Sequence, residues 1–261
     1  MSKILGLFKT HFSMGRSILT LEKPTGKENV YPISIFDLLT LNKLDTLVLV
    51  EDNISGLLQA SKNADENKIK LIFGIRLDVC EDALQKDESS FAKRAKYIVF
   101  AKDSAGYKSL IKIWSYAATE GFYYSPNIDF KTLKSFWNEH LLLAVPFYDS
   151  FLYLNSFCSS AHVPDFDSTF GKITFFTEDN DLPFDDALKD RVTEYCTANS
   201  HQVLQAQSIF YKSQEDFLAY MAFRCLHNRG ARQKCTLERP ELDHMTSDQF
   251  NFEKWLKNNK I

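Results

Sequence analysis

An α/β fold follows from three features of the 261-residue sequence. Short apolar runs alternate with segments whose apolar residues recur at helical spacing. Turn and cap residues such as Ser104, Gly121 and Pro164 fall between them. The composition, 44% hydrophobic and 25% charged, suits one large buried core. Alternation of strands and helices alone allows either a closed barrel or an open doubly wound sheet.

In chain order, residues 4–8 predict a first strand, 33–41 a helix and 46–50 a buried strand. A helix follows over 56–64, then two strands, 70–75 and 77–80, separated by Arg76. Residues 81–96 are charged, with an exposed loop expected at 87–90. The stretch 97–129 reads as strand, turn, helix, turn. The strand is 97–101 and Ser104 is the expected cap. Tyr107, Leu110, Ile111, Trp114, Ala117 and Ala118 keep helical spacing until Gly121 stops the helix. Phe122, Tyr123 and Tyr124 either anchor a loop on the core or meet a partner.

Further on come a helix over 130–137, a strand over 141–145, a helical segment over 151–158 and a loop over 162–168. A strand over 173–177 precedes an acidic stretch, 178–190, with six acids against one lysine. It lacks the glycine and ligand register of an EF-hand. A solvated helix start is expected, with Asp185 and Asp186 suiting the dipole of a helix carrying Leu188, Val192 and Cys196. The next strand is 201–205, and a helix over 213–228 places Phe217, Met221 and Cys225 on one face behind Ser213 as cap. Residues 224–239 hold five basic side chains against Glu238, and the chain closes in an amphipathic helix.

Certain functions are excluded by composition. A net charge of -3 gives no basic field for nucleic acid, so DNA contact would be local, weak and salt-sensitive, resting on Arg229, Arg232 and Lys234. Five cysteines without a CxxC pair point to reduced thiols. No apolar run reaches the ~20 residues of a membrane span. Residues 1–13 are also too weakly apolar for a signal sequence, so a soluble, cytoplasmic protein without membrane contact is expected. No phosphate-binding Gly-rich loop, Gly-x-Ser-x-Gly elbow or histidine-rich metal spacing is found.

Lys102-Asp103, Gly106-Tyr107, Leu110, Glu120-Gly121-Phe122-Tyr123-Tyr124, Pro126 and Ile128-Asp129 together resemble the polymerase-and-histidinol-phosphatase (PHP) domain of bacterial DNA polymerase III alpha subunits. The resemblance covers nearly the whole chain. It implies an irregular (β/α)7 barrel of the PHP type, a PHP-like domain over 1–240 and a C-terminal helical segment, 241–261, belonging to it. It also implies a metal site built from motifs at strand ends. Lys9 stands where the first histidine of a His-x-His pair belongs, and His11 keeps the second. Aligned on Asn53 and Gly56, Val50 and Glu51 replace an Asp-His pair. Arg76 replaces a Gly-x-Glu carboxylate. Aligned on Tyr211 and Asp216, Ser208 and Phe210 replace an aspartate and a histidine.

A PHP phosphoesterase holds two or three metals that activate a hydroxide, and these substitutions remove most of the ligands. The resemblance then implies a degenerate domain, inactive alone and without cofactor or metal. It would be a structural and protein-interaction module of replication, docking a polymerase body or a proofreading exonuclease. Two alternatives remain: a residual metal-dependent phosphoesterase or 3'-5' exonuclease using His11 and Glu51, and a free-standing phage protein that binds a host replication partner. If the site has become a plug, Lys9 and Arg76 are expected to pair with Glu51 while His11 completes the hydrogen bonds.

Overall fold

The computed structural model describes residues 4–22, 34–158, 160–227, 236–237 and 244–259. Among them one sheet has eight strands: β1 Leu5–Phe8, β2 Thr46–Glu51, β3 Lys70–Cys80, β4 Ala95–Ala101, β5 Asn127–Asp129, β6 Leu141–Val145, β7 Thr174–Thr177 and β8 Gln202–Ile209. The hydrogen-bonded order is β2-β1-β8-β7-β6-β4-β3-β5, and β3 also pairs with β2. Seven strands therefore close on themselves and β5 hangs outside on β3. This is the expected β/α barrel topology, irregular because β4 runs antiparallel to both its neighbours, β3 and β6. The helices are α1 Ile35–Leu41, α2 Leu57–Asn67, α3 Glu88–Ala92, α4 Ser104–Ala118, α5 Phe130–Phe136, α6 Phe151–Phe157, α7 Asp185–Asn199, α8 Phe217–His227 and α9 Phe252–Asn259. None is long and apolar enough to cross a membrane among the described residues.

Two compact units divide the chain. The first comprises Met1–Ile72, Asp179–Leu182 and Ala206–Ile261. Here β1 lies between β2 and β8 and is parallel to both, with Phe8 opposite Leu49 and Ile209. Ser34 opens α1 through a reciprocal capping box with Asp37, and Ile35, Phe36, Leu38 and Leu39 face the core. The buried face of α8 is Tyr220, Met221 and Arg224, so the helix is turned relative to the expected face. Tyr220 stacks on Phe210 and lies against Tyr211. Burying that large ring outweighs burying Phe217 and Cys225, which stay half-exposed. Ser213 caps a 3-10 turn that precedes α8 rather than α8 itself. On α9, Trp255 meets Phe8 edge-on, and its indole Nε1 donates to the Ile4 carbonyl at 2.9 Å.

The second unit comprises Phe73–Glu178 and Pro183–Gln205. Its β4 is buried along nearly its whole length: Ile98 lies opposite Arg76 on β3 and Ala144 on β6, and α4 and α6 pack against the strand. Four local expectations are corrected here. Strand β3 runs unbroken through Arg76, since Ile75 and Leu77 pair in register with Val99 and Tyr97. Helix α4 is capped by Asp103, whose carboxylate accepts from Ala105 N and Gly106 N at 2.9 and 3.0 Å; Ser104 is its first helical residue. The expected loop at 87–90 holds the start of α3, capped by Asp87. Asp186 is exposed as expected, whereas Asp185 is buried and accepts a 2.9 Å hydrogen bond from the Tyr148 hydroxyl. Gly121 ends the α4 turn as predicted; a side chain there would collide with the Asn127 carbonyl.

Candidate functional site

The matched positions of the first unit lie where three parallel strands end. Lys9 follows β1, Val50 and Glu51 end β2, and Ser208 and Phe210 lie at the end of β8. Such strand ends are where β/α folds place their chemistry.

Glu51 is fully buried. Its Oε1 accepts from the Thr10 amide at 2.9 Å and from the Thr10 hydroxyl at 2.5 Å, and its Oε2 accepts from the Ser13 hydroxyl. Ser13 Oγ in turn accepts from the Asp52 amide at 2.8 Å, which orients the hydroxyl toward the carboxylate. Burial raises the Glu51 pKa to about 7, against the lowering pull of Lys9 and the two hydroxyls. Lys9, itself buried, puts its Nζ 2.6 Å from Asp52 Oδ1. The ammonium expected on Glu51 thus forms its ion pair with the neighbouring aspartate and reaches Glu51 only through its field.

Val50 and Phe210 are buried apolar fillers, and Phe210 stacks between Tyr220 and Phe250 at centroid distances of 6.0 and 5.1 Å. Ser208 is half-buried opposite Leu7. His11 lies on the Phe12 ring at 4.5 Å with Nδ1 3.3 Å from the Leu19 carbonyl. It serves the local backbone, not Glu51. Thr10 and Ser13, which hold Glu51, were not singled out by sequence reasoning. Hydroxyls beside a strand end carry no signal that they will meet a carboxylate 38 to 41 residues away.

Arg76 belongs to the second unit and is nearly buried. Its guanidinium donates to Asp149 Oδ2 at 2.7 Å and to the Tyr148 carbonyl at 3.1 Å. Within this unit the guanidinium forms an ion pair with Asp149, a residue in the left-handed region at φ 59°. Arg229, Arg232 and Lys234 lie outside the described residues.

Sequence comparison adds relatives. The PHP domain family profile matches residues 34–203. A DNA polymerase III subunit alpha of Treponema pallidum is 26% identical over 188 residues, which are 69% of this chain and 16% of that protein. The subunit of Chlamydia muridarum is 37% identical over 84 residues, 31% of this chain and 7% of the relative. That of Borreliella burgdorferi is 34% identical over 86 residues, 32% and 8% respectively. The matched stretches span at most about a sixth of these relatives' length. An amidohydrolase structure from Chromobacterium violaceum aligns over 99% of this chain and 97% of its own at 12% identity, with a TM-score of 0.33, too low to speak for the fold.

A metal cluster of the kind this family implies does not fit the donors present. In the first unit Lys9 brings a cation, the side chains of Val50 and Phe210 have no lone pair, and both Glu51 oxygens already accept hydrogen bonds. Among the described residues no group of three or more His, Cys, Asp or Glu is placed to hold a metal ion.

Proposed function

Since the chain belongs to the PHP domain family, we propose that it is a catalytically degenerate member, acting as a structural and protein-interaction module in DNA replication. The observation that carries this reading is the engagement of the substituted side chains. Lys9 is spent on Asp52, Arg76 on Asp149, and Phe210 on an aromatic stack. A domain that had merely lost ligands would leave polar vacancies costing a few kcal/mol each. Residues 1–240 form the PHP-like domain in this reading and 241–261 its C-terminal segment, supported by the bonds of α9 to Ile4. The partner is a replisome protein, either a polymerase body or a proofreading exonuclease, and direct DNA binding is weak.

Elemental analysis of protein purified with zinc, manganese and iron supplied is expected to find no stoichiometric metal. Two or three metals per chain, with phosphoesterase or 3'-5' exonuclease activity abolished by chelator, would overturn the degenerate reading. That second reading draws on one observation, a buried carboxylate with a pKa near the value a general base needs. Glu51→Gln would then abolish the activity. For DNA, neutralising Arg229, Arg232 and Lys234 together is expected to flatten what salt dependence exists. Unchanged binding in that triple variant would make the basic run a solvated face.

A further inference from the structure

In the second unit, Phe91 on α3 is 45% exposed, Phe122 is 47% exposed and Tyr124 is 76% exposed. Phe91 and Tyr124 meet edge-on at 5.8 Å, and Tyr124 meets Tyr123 at 4.6 Å, so Phe91, Tyr123 and Tyr124 form one cluster rather than scattered surface residues.

The loop that displays them is fastened from below. Arg94 is buried and donates from one guanidinium nitrogen to the Tyr123 carbonyl at 3.0 Å and to Ser125 Oγ at 3.2 Å. Its guanidinium carbon also lies 4.8 Å from the Phe91 ring centroid. Ser125 donates to Asp78 on β3 at 3.2 Å, and Asp78 is ion-paired to Lys96 at 2.8 Å. The display is also strained: Tyr124 adopts φ 59°, a left-handed conformation unfavourable for a bulky side chain. Buried polar bonds and backbone strain are thus both committed to holding an aromatic ring out in solvent. Preorganisation of this kind lowers the entropy cost of binding.

The surroundings select the occupant. Residues 81–93 expose Glu81, Asp82, Asp87 and Glu88 against Lys86 and Lys93, an acidic excess on the approach to α3 and along it. The Tyr123 phenol is pushed up first by desolvation and then by Tyr124, Glu88 and Asp87, and Glu88 lies on α3 with Phe91. Aromatic faces next to carboxylates attract ammonium and guanidinium groups and repel phosphates.

We propose that Phe91 and Tyr124, with the acids Asp87 and Glu88, form a docking surface for a basic, apolar-flanked polypeptide segment of a partner protein. This deepens the interaction-module reading on which it rests, by naming the surface and the chemistry of the partner.

The test uses the full chain and a fluorescent twelve-residue peptide of alternating lysine, proline and leucine. An equivalent peptide with glutamate for lysine and a twelve-nucleotide single strand serve as competitors. Sedimentation reports self-association. The basic peptide is expected to bind at least roughly tenfold more tightly than the acidic one, with Phe91→Ala and Asp87→Lys/Glu88→Lys each weakening it by about that factor. Tyr124→Gly is the decisive variant, because glycine relieves the positive φ while deleting the ring: the melting temperature is expected to hold or rise while peptide binding falls. Equal binding of the two peptides, or variants that bind as the parent does, would overturn the surface. So would displacement by the single strand, or self-association lost in Tyr124→Gly, since each would assign the patch to another occupant. A polymerase body or exonuclease that still binds the patch variants would sink this surface and leave the module reading standing. Neither protein binding the parent would sink the module reading itself.

Discussion

Glu51 in the first unit and Arg76 in the second are both buried ionisable side chains, yet their surroundings differ. Arg76 meets a full opposite charge, Asp149, together with a carbonyl. Glu51 meets two hydroxyls and one amide, and the nearest ammonium is bonded to Asp52 instead. A charge buried with its counter-charge stays charged, whereas one buried among neutral donors drifts toward its uncharged form. The difference teaches that a buried ionisable side chain can be accommodated by a counter-charge or by neutral donors, with opposite consequences for its protonation.

The sharpest way to break the comparison is Arg76→Ala. Removing the guanidinium takes away its bonds to Asp149 and to the Tyr148 carbonyl, and a loss of about 3 kcal/mol is expected in urea denaturation at pH 7. The low end of the usual range applies because Asp149 is 25% exposed. Apolar replacement at both 76 and 149 is expected to recover much of that loss. An alanine variant that unfolds like the parent would place Arg76 on a par with surface arginines.

The second prediction is the pH dependence of stability through Glu51. With a folded pKa of about 7 against an unfolded value near 4.5, the folded state holds the proton more tightly. The associated stability is therefore fully present below pH ~4.5 and is lost as pH rises through about 7, with a span of about 3 kcal/mol. Glu51→Gln is expected to remove this slope and to be the more stable protein at pH 8. Parallel curves for the two proteins between pH 5 and 8 would mean that Glu51 is ionised throughout and resembles Arg76 after all.

The smallest effect concerns Tyr97, a third way of burying a polar group. Its ring packs against Phe130 and Phe151, but its buried hydroxyl has no hydrogen-bond partner among the described residues. Tyr97→Phe keeps the packing and deletes the orphan, for an expected gain of about 1 kcal/mol. A loss of similar size would imply a bound water at the hydroxyl.

What was legible in the sequence was whatever depends on neighbours along the chain. Periodicity located the strands of the barrel and helices such as α4, because facing residues recur at fixed local spacing. The donor type at Lys9, Val50, Arg76, Ser208 and Phe210 was equally plain, since it is a side chain's own property. The short strand β5, only three residues long, left no pattern to read. The partners were decided by tertiary structure alone. Thr10 and Ser13 reach Glu51, and Asp149 reaches Arg76, across 38 to 73 residues of sequence. The burial of Asp185 likewise depends on Tyr148 arriving from another strand's end. Charge pairing is selected by proximity and desolvation in the folded chain, and neither quantity exists until the strands are in register.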